Sequence, residues 1–217
     1  MSITIKYKNF LGKEISENRV LSLDEYEKEY FEDGILKKIE SFDDNEVEMG
    51  TYFLSPGEDL NTLINQFKDI WSVSLFYVSE TVTNNYIVRE WKDYRGAQMQ
   101  ATGKSVFDEA GREIATQYLD KGTLAVLYTE KHYFLSSFGS FEDAGNVNQF
   151  GTIDFIYDKS AIGEKVFLVN LPGFEHKSYS LPSYQDILLH PLIVPVFNWW
   201  EETYYHNATP LVPGIVS

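Results

Sequence analysis

The sequence predicts a β-rich α+β fold: an antiparallel, twisted sheet of hairpins, one amphipathic helix at about 57–71 packed on a face, and an irregular C-terminal wrap. Three observations carry this expectation. Aromatic residues make up 16% of the 217-residue chain, with 15 Tyr and 15 Phe, and such side chains suit a half-buried pleated surface. Short alternating runs are separated by Asp-Gly and Asn-Asn pairs, which are hairpin signals. A single stretch has clear helical periodicity. With 43% hydrophobic residues, the chain can bury a sizeable core. No low-complexity linker interrupts it, so a single domain over 1–217 is expected, with a β-rich core at 1–171 and a Pro- and aromatic-rich extension at 172–217.

The elements follow in order. ITIKYKNF (3–10) alternates and predicts a strand. Over 21–42 two readings compete. Ser22 and Glu25 fit a capping box, with Leu23, Tyr26 and Tyr30 at helical spacing, but Asp33-Gly34 between EYEKEYFE and ILKKIESF favours a hairpin with solvated charged flanks. SPGEDLNTLINQFKDIW is the helix, with Ser55 as cap and Glu58 and Asp59 at the positive end of its dipole. Leu60, Leu63, Ile64, Phe67, Ile70 and Trp71 form its apolar stripe.

An antiparallel meander is predicted next. VSLFYVSE (73–80) and YIVREW (86–91) flank a turn at Asn84-Asn85. REIATQYL (112–119) and TLAVLYTEKHYFL (123–135) flank Asp120-Lys121-Gly122. The latter strand is apolar on both parities from Leu124 to Tyr128, which predicts cover on both faces. TIDFIYD (152–158) and KVFLVNL (165–171) complete the meander. Beyond Pro172, prolines punctuate the chain; a short helix near 183–189 and a helical turn at 197–205 are expected within an irregular wrap.

The net charge is −15. Such a surface disfavours nucleic acid and anionic membranes and attracts basic proteins. Residues 1–60 hold 15 acidic side chains against 7 basic ones, so the first quarter of the chain carries over half of the excess. There is no cysteine, which excludes disulfides, thiolate catalysis and Cys-based zinc sites. The N-terminus lacks the apolar run of a signal peptide, and no segment reaches the length of a membrane span, so a cytoplasmic location is expected.

One pattern recurs. Phe31-Glu32-Asp33-Gly34, Phe107-Asp108-Glu109-Ala110-Gly111 and Phe141-Glu142-Asp143-Ala144-Gly145 each place an aromatic, acids and a glycine where a strand turns. The starts at 31, 107 and 141 are unevenly spaced, which excludes a regular solenoid. The pattern resembles the degenerate F/Y-D-x-x-G-[KR] hairpin repeats of bacterial YD-type and MORN-variant proteins. That resemblance implies a hairpin-built bacterial protein of the toxin, antitoxin or immunity type.

Signals of catalysis are weak. His132, His176, His190 and His206 have no mutual ligand spacing, and there is no phosphate-binding loop or nucleophile elbow, so no cofactor and no metal are expected and the balance is against an enzyme. Asp43, Asp44, Glu46 and Glu48 lie close together without Ca²⁺-loop spacing, which predicts a solvated acidic loop. Trp91 beside Glu90, and the run Trp199, Trp200, Glu201, Glu202, Tyr204 and Tyr205, are the candidate aromatic contacts. The expected function is a non-enzymatic acidic binding protein, an immunity-type protein that neutralises a basic partner. Its rivals are a carbohydrate-binding or glycoside-acting module using the Trp-adjacent carboxylates, and a mimic of DNA charge.

Overall fold

The computed structural model describes residues 2–9, 13–135, 141–142, 148–149, 151–158, 165–171, 174–180, 188–189, 191, 193–195 and 197–215. The protein is β-rich, with mostly antiparallel pairing and short helices. It divides into two compact units, Met1–Glu80 with Arg89–Thr102, and Thr81–Val88 with Gly103–Ser217. Among the described residues, no helix is long and apolar enough to cross a membrane.

The first unit starts with β1 (Ile3–Asn9), β2 (Glu14–Ile15) and the four-residue α1 (Glu17–Val20). β3 (Tyr26–Glu32) and β4 (Ile35–Asp43) then form the hairpin that Asp33-Gly34 predicts. Both turn residues have positive φ, 49° and 85°, the conformation that matches the twist of flanking strands. β5 (Glu46–Phe53) returns antiparallel to β4, and α2 (Leu60–Phe67) follows. β6 (Val73–Thr83) then pairs with β5 in parallel, with Met49 opposite Val73. This pair departs from the wholly antiparallel sheet expected, whereas the meander expected over 73–171 begins only at β6. A parallel neighbour needs a crossover, and α2 supplies it. β6 and β7 (Tyr86–Arg95) form the next hairpin, whose tip about Asn84-Asn85, again with positive φ at both, belongs to the second unit. The strand order over β1 to β7 is β7-β6-β5-β4-β3-β1-β2.

α2 is shorter than predicted, and its cap is Asp59, whose carboxylate accepts from the Thr62 N–H at 2.9 Å. Ser55 serves differently: its hydroxyl accepts from Lys37, and its N–H donates to Glu58. Leu63, Ile64 and Phe67 of the helix are buried with Tyr52, Trp71, Phe76 and Tyr94. Each such side chain contributes about 1.5–3 kcal/mol by leaving water. The charged flanks of the first hairpin are not a solvated face: Glu29, Lys37 and Glu40 are buried. They are paired, Glu29 with Lys8, Lys37 with Glu58, and Glu40 with Lys38, so the cost of desolvating each charge is offset.

The second unit contains the end of β8 (Gln98–Phe107), then β9 (Glu113–Leu119) and β10 (Val126–Leu135). A small two-stranded pair, β11 (Phe141–Glu142) and β12 (Asn148–Gln149), precedes β13 (Gly151–Asp158), β14 (Lys165–Leu171) and β15 (Phe174–Ser180). The order is β15-β14-β13-β10-β9-β8. β10 has neighbours on both sides, but its start is not covered on both faces. Leu124 is 64% exposed in a turn at φ 59°, and Leu127 is 48% exposed. Apolar residues at both parities there reflect a turn running into a strand, not a strand buried on both faces.

β15 corrects the expectation of an irregular wrap from 172 onward. The helix expected near 183–189 falls mostly outside the described residues, of which Leu188 and Leu189 are helical. The expected boundary at 171/172 adjoins residues 172–173, which also lie outside them. A 3-10 turn at Thr203–His206 replaces the helical turn anticipated over 197–205. Ile193, Phe197, Trp199 and Tyr205 pack on Ile153, Phe155 and Tyr157 of β13.

Candidate functional site

Asp43, Asp44, Glu46 and Glu48 form the tip of a hairpin, not a loop. Asp43 ends β4 and faces Glu46 across the pair, and Asp44-Asn45 turns the chain with φ of 48° and 65°. Asp and Asn tolerate this left-handed conformation better than other side chains with a Cβ. All four acids are exposed, and among the described residues none forms an ion pair. Glu29, Glu40 and Glu58 of the same unit are neutralised by lysines, so the tip carries charge that the fold leaves uncompensated.

The aromatic candidates separate. Trp91, in the first unit, is buried, and its carbonyl accepts from Thr102 Oγ1 at 2.9 Å. In the second unit Trp199 is buried and stacks on His206 at 4.2 Å. Tyr205 is buried and half-buried Tyr204 donates to the Leu211 carbonyl at 2.6 Å, so both pin the C-terminal segment. Trp200 is 67% exposed and Glu201 is exposed beside it. Glu202 is half-buried, and burial followed by the Glu201 charge raises its pKa.

The recurring turn proves to be two devices. Phe31–Gly34 is a two-residue turn with positive φ at Asp33 and Gly34. At Phe107–Gly111 the Asp108 carboxylate accepts from the N–H groups of Ala110 and Arg112, both at 2.9 Å, and Gly111 takes φ 76°. In the third copy Phe141 and Glu142 pair in β11, and 143–147 lie outside the described residues. An open cleft of about 370 Å³ lies between the Asn84-Asn85 turn and Asp108–Arg112. Its Asp108 and Arg112 bind each other at 2.7 Å.

A cluster not anticipated from the sequence lies in the second unit. Glu130 and His132 alternate on β10, two residues apart and therefore on one side of the strand. Asp154 stands directly opposite His132 on β13. His132 Nδ1 is 2.8 Å from Asp154 Oδ1. One donor atom from each of the three residues lies within 4.8 Å of the others. Asp154 is buried at 7% exposure, and Glu130 and His132 are half-buried. Burial opposes a charge on His132, but the hydrogen bond and charge of Asp154, with the charges of Glu130 and Glu113, outweigh it and raise its pKa. Half-buried Glu113 has its pKa raised by burial, against a hydrogen bond from Ser105. The available signal was the mixed pair Glu130-x-His132 on a strand. A search for His-His spacing misses it, and Asp154 joins only through the strand register.

Lys131, between these residues, points the other way. It is fully buried and donates to the carbonyls of Tyr204, Asn207 and Pro210 at 2.7, 2.8 and 2.8 Å. Burial lowers its pKa to about 7. The carbonyls and the face of the Tyr204 ring, 3.7 Å away, favour the ammonium form.

No protein-family model matches the chain, and neither does any curated protein or solved structure.

Proposed function

We propose that this chain is a non-enzymatic acidic binding protein of the bacterial immunity type, acting in the cytoplasm to neutralise a basic protein partner through the β4–β5 tip. The observation that carries the reading is the group of four exposed acids, Asp43, Asp44, Glu46 and Glu48, without ion-pair partners among the described residues. The net charge of −15 supports it, because a field of one sign steers an oppositely charged partner toward the surface. Half-exposed Met49, at 36%, adds an apolar contact beside the acids.

The test is co-purification with the native chain and with a quadruple variant, Asp43→Lys, Asp44→Asn, Glu46→Lys and Glu48→Lys. Asparagine at position 44 keeps a residue that accepts positive φ. A basic partner held by the native chain, released as ionic strength rises and lost from the variant is the expected result. Equal retention by both chains would remove the tip from the reading.

A further inference from the structure

We propose that Glu130, His132 and Asp154 form a binding site for one divalent transition-metal ion, of the Zn²⁺, Mn²⁺ or Fe²⁺ type. Strand geometry brings the donors together. Residues two apart on β10 point to the same side, and Asp154 is the register partner of His132 on the adjacent strand. Donor atoms around such an ion at about 2.0–2.2 Å must stand roughly 3–4 Å apart. The observed limit of 4.8 Å leaves a small closure, in which Glu130 would keep or exchange the hydrogen bond it accepts from the Tyr128 hydroxyl at 2.8 Å. Two carboxylates and one imidazole suit these ions better than copper(I), which prefers sulfur, or Ca²⁺, which takes six to eight oxygens. Three protein ligands leave coordination positions for water or a further ligand.

Two observations separate this cluster from a surface group of acids. The first is burial. Asp154 is 7% exposed, and half-buried carboxylates close to it gather negative charge away from water. The second is the charge balance. Among the described residues no lysine or arginine pairs with Glu130 or Glu113, and Lys131, the nearest cation along the chain, is directed to carbonyls of the C-terminal segment. Both of these carboxylates add negative charge around His132. In the first unit, by contrast, buried Lys37 is matched by Glu58. A divalent cation would offset negative charge gathered here. The charge of Glu113 also reaches His132 and Glu130 and adds to the negative field at the site. The site lies in the second unit and the acidic tip in the first, so this inference does not depend on the proposed partner.

The experiment uses the full chain, stripped with a chelator and titrated with Zn²⁺ and, separately, Co²⁺. One equivalent per chain, a rise in Tm with Zn²⁺ and visible absorption from bound Co²⁺ are expected. His132→Ala and Asp154→Asn should each weaken binding at least about tenfold, whereas Glu109→Gln, an exposed acid in the same unit, should leave it unchanged. Asp154→Asn is nearly isosteric, and circular dichroism checks that it folds. An unaltered native Tm with Zn²⁺, or stoichiometric binding that survives both substitutions, would overturn the proposal.

Discussion

The indole of Trp71 lies against the backbone of Gly50 so closely that a Cβ at position 50 would fall among its Cδ2, Cε2 and Cε3 atoms. The ring has little room to retreat. It stacks on Phe67 at 3.9 Å and 3°, its Nε1 donates to Glu40 at 3.2 Å, and it is 2% exposed. Gly50→Ala should therefore cost about 2–3 kcal/mol through overpacking. Gly34→Ala should cost about 1 kcal/mol, since its site is open and only its φ of 85° opposes a side chain. Urea midpoints of the two variants measure the contrast, and equal losses would contradict it.

Glu58 ties the segment before α2 to β4. Its carboxylate accepts from Lys37 Nζ at 2.5 Å, from the Ser55 N–H at 2.5 Å and from the Tyr52 hydroxyl at 2.9 Å. Burial works against its ionisation, but these three donors and the Lys37 charge outweigh it and hold its pKa below the usual value. Because the folded value lies below the unfolded one, its stabilisation is present in full above about pH 4.5 and is lost as pH falls through the folded value. Glu58→Gln should lower stability at neutral pH by about 2 kcal/mol, since Lys37 keeps a buried charge while Glu58 is partly solvated. It should also flatten the acid limb. Denaturant titrations from neutral pH down to about 3 measure both effects.

Lys131 links β10 to the C-terminal segment through three carbonyl acceptors. Lys131→Met keeps much of the volume and removes all three donors. The orphaned carbonyls should cost about 3–5 kcal/mol in total. The loss should be local first: amide exchange should rise across 203–212 before it rises in β3 or β4. Uniform protection in the variant would show that the apolar cluster around Phe197 and Tyr205 holds the segment without the lysine.

What could be read from the sequence follows the range of the interactions involved. Asp33-Gly34 and Asn84-Asn85 were legible because a two-residue turn is a local demand on φ, met by few residue types. The apolar stripe of α2 was legible for the same reason, although Asp59 and not Ser55 caps it. Chain direction is not local. Nothing in Met49 or Val73 announces a parallel pair. The buried Glu29, Lys37 and Glu40 look like surface residues until their partners are known. β15 was missed because FEHKSYS has no apolar alternation to mark it. Asp154 lies 22 residues beyond His132 and meets it only through the register of β10 and β13.

The β4–β5 tip offers a prediction about folding that is separate from binding. Asp43, Glu46 and Glu48 are exposed strand residues, so their replacement by lysine should change stability by less than about 0.5 kcal/mol each. Asp44 differs, because its φ is 48°. Lysine there must adopt a left-handed conformation, at a cost of about 1 kcal/mol, whereas asparagine accepts it readily. The quadruple variant carrying Asp44→Asn should thus melt within a few degrees of the native chain, and the same variant carrying Asp44→Lys instead should melt lower. Thermal unfolding of the pair measures this. If both melt alike, the turn at Asp44-Asn45 tolerates any residue, and the acids at the tip are free of structural duty altogether.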